Sequence, residues 1–300
     1  MKRLINFFKN EIWMENSDKY NTFIYKSFRI AISTFRGFIS DDCYEKGSAL
    51  TFYSLMSLIP LLAIVFGIAQ SFGIEQRISE EIRNQLQSQP EIANKIIQFS
   101  QSSLKETKGS LIASLGVIVL FWTTFSMIGS IESYFDKIWK IQKSRTWWQQ
   151  IKRYTTFLFL LPLFLVVSSS IIIYSTTVAV AASKLINFSP LSFFAIKVIP
   201  SFFTWGMLSF FYFYFPNTKV LWTSGLVAGF ITGLIFFIWQ WIYVLFQTHA
   251  TSYGAIYGSF AAVPLFLFWL NYSWLIILFG TELSYQIQKT LTSQSERQKK

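Results

Sequence analysis

Few of the side chains that carry catalytic or metal chemistry occur in this chain, and they are not clustered. The sequence has one histidine, His249, and one cysteine, Cys43, whereas a metal hydrolase needs several such ligands together. Asp41 and Asp42 are adjacent, but neighbouring side chains diverge on a helix. The sequence also lacks the phosphate-binding, dinucleotide-binding and nucleophile-elbow motifs. We therefore predict no enzymatic activity, no metal and no cofactor.

Polar residues in apolar surroundings are better candidates, because such residues are costly in lipid and are often functional. Gln240 in "FFIWQWIYV" and Asn271 in "FWLNYSW" fall near the middle of long apolar segments. They are expected at similar depth on adjacent helices, which predicts an amide–amide hydrogen bond, as structural glue or as part of a polar cavity. Glu132 ends another apolar stretch, and Glu282 ends the one that contains Asn271; at both places we expect the carboxylate to reach interfacial water.

Membrane helices must position these residues. Hydrophobic residues make up 52% of the 300 and charged residues 14%, which is more apolar surface than a soluble core could hide. A bilayer core of roughly 30 Å needs about 20 apolar residues of helix, and open sheet edges are excluded there. We predict an all-α polytopic membrane protein with six spans, at about 48–72, 110–132, 154–183, 191–215, 221–247 and 256–284.

Lysine and arginine are distributed unevenly around these spans. Most of the 26 lie before the first span, in the linker 133–153, in the turn 216–220 and after residue 284. Basic loops mark the cytoplasmic side, so we place both termini there, as a cytoplasmic segment over 1–47 and a tail over 285–300. This asymmetry accounts for the net charge of +11 without nucleic acid as a partner.

Two amphipathic segments accompany the spans. The segment 20–39 has Phe28 and Phe35 on an apolar stripe and basic residues elsewhere, which predicts an interfacial helix on the inner leaflet. The alternative is a helix packed against the rest of the protein. Residues 74–106 contain two amphipathic pieces broken by Pro90. We predict a helical hairpin on the outer face, which packs on itself, caps the bundle or docks another envelope protein.

Small residues recur at every fourth position in the last two predicted spans. Such ridges allow helix backbones to approach closely. Because the two spans run in opposite directions, the ridges lie at different depths, and each must face another helix or a cavity. The ridge positions are Gly225, Gly229 and Gly233 in the fifth span, and Gly254, Gly258 and Ala262 in the sixth.

Prolines are the candidate hinges, because a proline inside a helix removes a backbone hydrogen bond and can kink it. They occur in the first and third predicted spans of each half of the chain. This pattern suggests an inverted repeat relating 48–183 to 191–284, as in many transporters. The four positions are Pro60, Pro162, Pro200 and Pro264, the last of which directly follows the second small-residue ridge.

Several stretches resemble the YihY/BrkB family of bacterial inner-membrane proteins: "ALTFYSLMSLIPLLAIVFG", "YFYFPNTKVLWTSGLVAGF" and "YGAIYGSFAAVPLFLFWLNYSWLIILFGTELSY". The likeness covers about residues 30–290 and is most specific at the Phe215–Pro216 turn, Pro264 and Trp269. Thr281 stands where the family more often has alanine. The resemblance implies six membrane helices and a multi-pass protein of the inner membrane. Family members have been labelled a ribonuclease and associated with serum resistance or with export of lipid or lipopolysaccharide precursors.

Two functions follow from the sequence and this resemblance. The first is movement or accommodation of a lipid or another amphiphile, with membrane lipids as partners. The uncharged mid-span residues Gln240 and Asn271 argue against ion coupling, which usually requires a carboxylate deep in the membrane. The alternative is a membrane scaffold or accessory subunit that binds another envelope protein, for example through the outer hairpin. The ribonuclease label has no support in the available ligands.

Overall fold

The computed structural model describes residues 23–85, 90, 93–95, 97–98, 111–143, 145–185, 199–249 and 262–297. Regular secondary structure in these ranges is helical, and none of the described residues lies in a β-strand. The helices are α1 (Phe23–Ser40), α2 (Cys43–Ser71), α3 (Glu75–Gln85), α4 (Leu111–Ile138), α5 (Trp147–Leu185), α6 (Ile199–Tyr214), α7 (Trp222–His249) and α8 (Ala262–Arg297).

The long helices have the composition of membrane spans. Among the described residues, Trp222–Gln247 and Val263–Ser293 are long and apolar enough to cross a bilayer, and α2 adds a third span if its two bent parts count as one. Each predicted span overlaps one of the helices α2 and α4 to α8. The all-α membrane class is therefore confirmed, whereas the number of six spans stays a prediction.

Helix α8 lies at the centre of the described bundle, in contact with α1, α2, α4, α6 and α7. Around its middle, α8 buries Leu278, Thr281, Glu282 and Leu283. The surface of the bundle, in contrast, exposes large apolar side chains, for example on α7, where Trp241 is 65% exposed. An apolar surface around a core that contains polar groups is expected when lipid, not water, surrounds the protein.

Polar side chains join α2 to α8 as well. Trp274 Nε1 donates to Ser54 Oγ at 2.9 Å, and Asn271 Nδ2 donates to Thr51 Oγ1 at 3.3 Å. Ser48, Thr51 and Ser54 recur every third residue in "SALTFYS", so their hydroxyls share one face of α2. In lipid, no hydrophobic force drives helices together, so hydrogen bonds of this kind help to hold them in contact.

Glycines allow α6, α7 and α8 to pack closely. A side chain at Gly225 would overlap the Phe213 ring, and one at Gly229 would overlap Ser209, so the first ridge faces α6. Gly233 continues the ridge: a Cβ placed on it would lie 3.8 Å from the Cα of Trp205. The ridge thus faces another helix, as its depth required. Gly254 and Gly258 lie outside the described residues, and Ala262 begins α8.

The candidate hinges occupy different places in their helices. Helix α2 bends by 52° between Cys43–Leu58 and Pro60–Ser71, as a proline within a helix favours. Helix α5 continues through Pro162. Pro200 and Pro264 lie in α6 and α8, near the first described residue of each helix. A kink between the second ridge and the rest of α8 falls outside the described residues.

The two amphipathic segments both contact the bundle. Helix α1 packs on α8, with the Phe38 ring 5.9 Å from that of Phe279, while Phe28 is 54% and Phe35 61% exposed. Phe35 nevertheless also contacts α8, with its ring 5.2 Å from that of Phe279. The apolar stripe is therefore largely exposed but reaches α8 at its Phe35 end. In the first hairpin piece, Ile78 of α3 is buried against Phe66 of α2 and its neighbours. Much of the second piece lies outside the described residues.

We predict that Gly280→Val destabilises the bundle. A Cβ at Gly280 would overlap Tyr212 Oη and Thr232 Oγ1 at the junction of α6, α7 and α8. Such overpacking costs typically about 1–3 kcal/mol, so the thermal midpoint of the detergent-purified protein should fall. Gly206→Ala is the control, because nothing lies within 4 Å of a Cβ placed there. Equal midpoints for the two variants would contradict the close packing of this junction.

Candidate functional site

The two mid-span amides do not bond to each other. Gln240 Oε1 accepts from Trp269 Nε1 at 2.8 Å, and Gln240 is exposed on the bundle surface. Asn271 instead donates to Ser48 Oγ and Thr51 Oγ1 on α2, at 3.4 and 3.3 Å. The predicted amide–amide hydrogen bond is therefore wrong: each amide faces a different side of α8 and joins it to a different helix.

The two inner-boundary carboxylates are buried, contrary to the expectation that they reach interfacial water. Glu132 is 3% and Glu282 1% exposed. Glu282 Oε1 accepts from Gln286 Nε2 at 2.7 Å and lies against Gly37 of α1, where a Cβ would overlap it. The docking of α1 on α8 explains this burial, and a side chain at position 37 would require the Glu282 side chain to move.

Glu132 forms a buried ion pair with Arg145, in which the side chains are 4% and 7% exposed. The Arg145 guanidinium also donates to the Phe215 carbonyl at 3.1 Å and to the Pro216 carbonyl at 2.9 Å. One cation therefore joins α4, the linker after α4 and the turn after α6. A buried ion pair must be matched by such additional hydrogen bonds to offset the loss of hydration.

The turn after α6 is held by further bonds. Asp136 Oδ1 accepts from the Asn217 backbone N–H at 2.7 Å, and Asn217 Nδ2 donates to the Lys143 carbonyl at 2.9 Å. Asp136 lies beyond the predicted span 110–132; burial raises the pKa of its carboxyl group, and the Asn217 N–H counteracts that rise. The turn is thus fixed relative to both α4 and the linker.

A pocket of about 610 Å³ opens beside this ion pair, between the start of α5 and the end of α6. The linker and the start of α5 contribute three cationic side chains, Arg145, Lys152 and Arg153, here called the cationic wall. The end of α6 contributes three aromatic rings, Phe210, Phe213 and Tyr214, here called the aromatic wall. The remaining lining is polar and uncharged, from Gln149, Thr156 and Asn217.

Tyr214 and Gly225 fix the walls of this pocket. The Arg153 guanidinium lies over the Tyr214 ring, 4.2 Å from its centroid, and Tyr214 Oη donates to the Arg153 carbonyl at 2.7 Å. Phe213 of α6 lies against Gly225 of α7, and its ring centroid is 5.0 Å from that of Trp222 at the start of α7. Aromatic and cationic side chains therefore line one volume.

The sequence predictions missed the residues of this pocket. The basic residues of the linker 133–153 indicated orientation, and nothing in their spacing distinguished Arg145, Lys152 and Arg153 from the others. The available signal was the short turn "FPNTK" beginning at Phe215, since a short connection between two spans needs donors for any backbone carbonyls that it buries. The donor itself, Arg145, lies 70 residues away in the chain.

Within the described part of the chain, no group of three or more His, Cys, Asp or Glu residues could hold a metal ion. The helices, the apolar surface and the polar seams define the class as an all-helical membrane protein. The comparisons with known proteins give the family: a family model described as Virulence factor BrkB matches residues 34–300. The chain belongs to this family, which confirms the resemblance seen in the sequence.

Relatives in several bacteria carry the name UPF0761 membrane protein. One from Psychrobacter sp. strain PRwf-1 is 30% identical over 263 residues, 86% of this chain and 48% of its own length. A relative from Alcanivorax borkumensis is 29% identical over 83% of this chain and 58% of its own length. Another, from Acinetobacter baylyi, is 29% identical over 87% of this chain and 62% of its own length. The chain therefore spans about half to three fifths of these relatives. No solved structure matches it.

We predict that Arg145→Met strongly destabilises the protein, because it leaves Glu132 buried without a cation. Removing one partner of a buried pair costs roughly 3–5 kcal/mol, which should appear as a lower thermal midpoint in detergent. Adding Glu132→Gln should restore part of the loss. Lys140→Met is the matched control, since Lys140 pairs with Asp41 but is 52% exposed, and exposed pairs contribute about 1 kcal/mol or less. A double variant no more stable than Arg145→Met would contradict this role of the pair.

Proposed function

We propose that this protein moves or accommodates a lipid or another amphiphile in the bacterial inner membrane, without ion coupling and without catalysis. The observation that carries the proposal is the pocket with a cationic wall and an aromatic wall. An amphiphile has a polar head and an apolar body, so two unlike walls facing one volume suit it better than a purely polar solute. Pockets of about 300–1,000 Å³ are of the size that binds small molecules.

The position of the pocket supports the same proposal. Its residues come from the basic linker 133–153 and from the ends of predicted spans, where the inner leaflet places its headgroups. Trp222, beside the aromatic wall, is 75% exposed, as is typical of tryptophan at the interface of a membrane. A ligand could therefore enter from the leaflet without crossing the bundle.

The proposal includes the finer topology: six spans, cytoplasmic termini and an outer hairpin over 74–106. The distribution of basic residues supports this arrangement. The scaffold function remains the alternative. Helix α3 contributes Ile78 to a buried cluster with α2, so its apolar stripe is at least partly used within the protein.

Reconstitution tests the transport part. The purified protein is reconstituted into liposomes that carry a fluorescent lipid in both leaflets. Exchange of this lipid between the leaflets, measured by dithionite quenching, should be faster than in protein-free liposomes. Asn271→Leu, which removes two of the hydrogen bonds from α8 to the bent helix α2, should slow exchange severalfold. Gln240→Leu is the comparison, since among the described residues Gln240 bonds to Trp269 and so joins α7, not the bent helix α2, to α8. This variant should change exchange less.

Absence of exchange with folded wild-type protein would exclude lipid movement and leave binding or the scaffold function. If the protein binds lipid without exchanging it between leaflets, the proposal that it accommodates a lipid stands. If it neither binds nor exchanges lipid, the scaffold function is favoured.

Single-cysteine labelling tests the topology. In a Cys43→Ala background, Ser102→Cys should react with a membrane-impermeant maleimide on intact spheroplasts, because residue 102 falls in the predicted outer hairpin. Ser293→Cys should react only after the membrane is opened, because it lies near the predicted cytoplasmic C-terminus. Labelling of Ser293→Cys in intact spheroplasts would contradict cytoplasmic termini.

A further inference from the structure

We infer that the cationic wall of the pocket binds a phosphate group, with Lys152 and Arg153 as its principal ligands and the aromatic wall beside the rest of the molecule. The assignment of a phosphate-bearing headgroup rests on the proposed function and narrows it to one substrate class. The phosphate chemistry itself could also be supplied by a soluble phosphate compound, and the two sources are separable by experiment.

Among the described residues, the cationic wall carries more positive charges than there are carboxylates nearby to balance them. Its three cations face two nearby carboxylates, of which Glu132 is paired with Arg145 and Asp136 accepts from the Asn217 N–H. Arg153 forms no salt bridge to a described residue, and its Nε is buried without a hydrogen-bond partner. Because Arg153 also lines the pocket, an anion bound there would supply the counter-charge that no described carboxylate provides in direct contact.

The geometry favours phosphate over a smaller anion. Arg153 is held over the Tyr214 ring, so its planar guanidinium presents its donors in a fixed direction. Lys152 is exposed on the preceding position of α5 and adds a mobile point charge. A planar fork together with a point charge matches several oxygens bearing one or two negative charges.

The aromatic wall favours an amphiphile as the source. Phe210 stacks on Tyr214 at 5.0 Å, and Phe213 meets the exposed Trp222 at the same centroid distance. These rings run from the pocket toward the lipid-facing side of α7. Basic pockets between membrane helices on the cytoplasmic side are a known mode of recognising anionic headgroups.

The experiment measures binding to the full-length protein in neutral detergent by tryptophan fluorescence. The probes are dioctanoyl phosphatidic acid, dioctanoyl phosphatidylcholine and dioctanoylglycerol, which share their chains, together with inorganic pyrophosphate. We expect phosphatidic acid to bind at least tenfold more tightly than the other two lipids. Lys152→Gln and Arg153→Gln should each weaken it by about tenfold or more, the loss of one charged hydrogen bond.

Lys289→Gln is the matched control, because Lys289 also lies over a tyrosine ring at the predicted cytoplasmic end, 6.0 Å from the Tyr285 centroid, but lines no part of the pocket. It should bind phosphatidic acid like the wild type. Since Arg153 packs on Tyr214, thermal midpoints accompany every titration. Lys152 is exposed, so Lys152→Gln should remain folded and keeps the test decisive.

The outcomes separate the two proposals. Pyrophosphate binding that both pocket variants weaken, without lipid binding, would support the phosphate site and overturn its lipid source and the proposed function. Equal affinity for the three lipids, unchanged by Lys152→Gln and Arg153→Gln, would overturn the phosphate site while the proposed function stands. Binding of no probe by folded wild-type protein would overturn both.

Discussion

The junction of α4, the linker before α5 and the turn after α6 depends on the environment of one buried cation, Arg145. Its partners come from three parts of the chain: Glu132 on α4 and the carbonyls of Phe215 and Pro216 in the turn after α6. An unmatched guanidinium could not remain in such a site, because desolvation would exceed any single attraction. The carboxylate, the two carbonyls and the linker must therefore be brought together at once, and this fixes where α5 begins relative to where α6 ends.

The pocket follows from that constraint. Once the linker and the turn are joined, Lys152 and Arg153 on the first turns of α5 face Phe210 and Phe213 at the end of α6. Close packing characterises the neighbouring junction, where Gly229 and Gly280 bring α6, α7 and α8 into contact. The protein thus combines tight seams through its centre with an open volume at its predicted inner boundary, an arrangement suited to a ligand that approaches from the leaflet.

Particular residues show how far the sequence could be read. The glycines at 225 and 229 were recognisable by their spacing, and the structure places them against α6. Gln240 and Asn271 were recognisable as polar residues in apolar helices, but their pairing was wrong, because depth along a helix does not define the direction in which a side chain points. Glu132 and Glu282 were expected in water for the same reason, and the linker and α1 cover them.

The sequence by itself determined the helical membrane class, the approximate helices and the family, because these depend on the length and composition of contiguous segments. It also indicated the bend of α2, since the effect of Pro60 is local. Only the tertiary structure decided which polar groups meet. The Arg145 contacts to Phe215 and Pro216 and the pocket between α5 and α6 join residues distant in the chain, and helix rotation and packing, which no local pattern encodes, set those encounters.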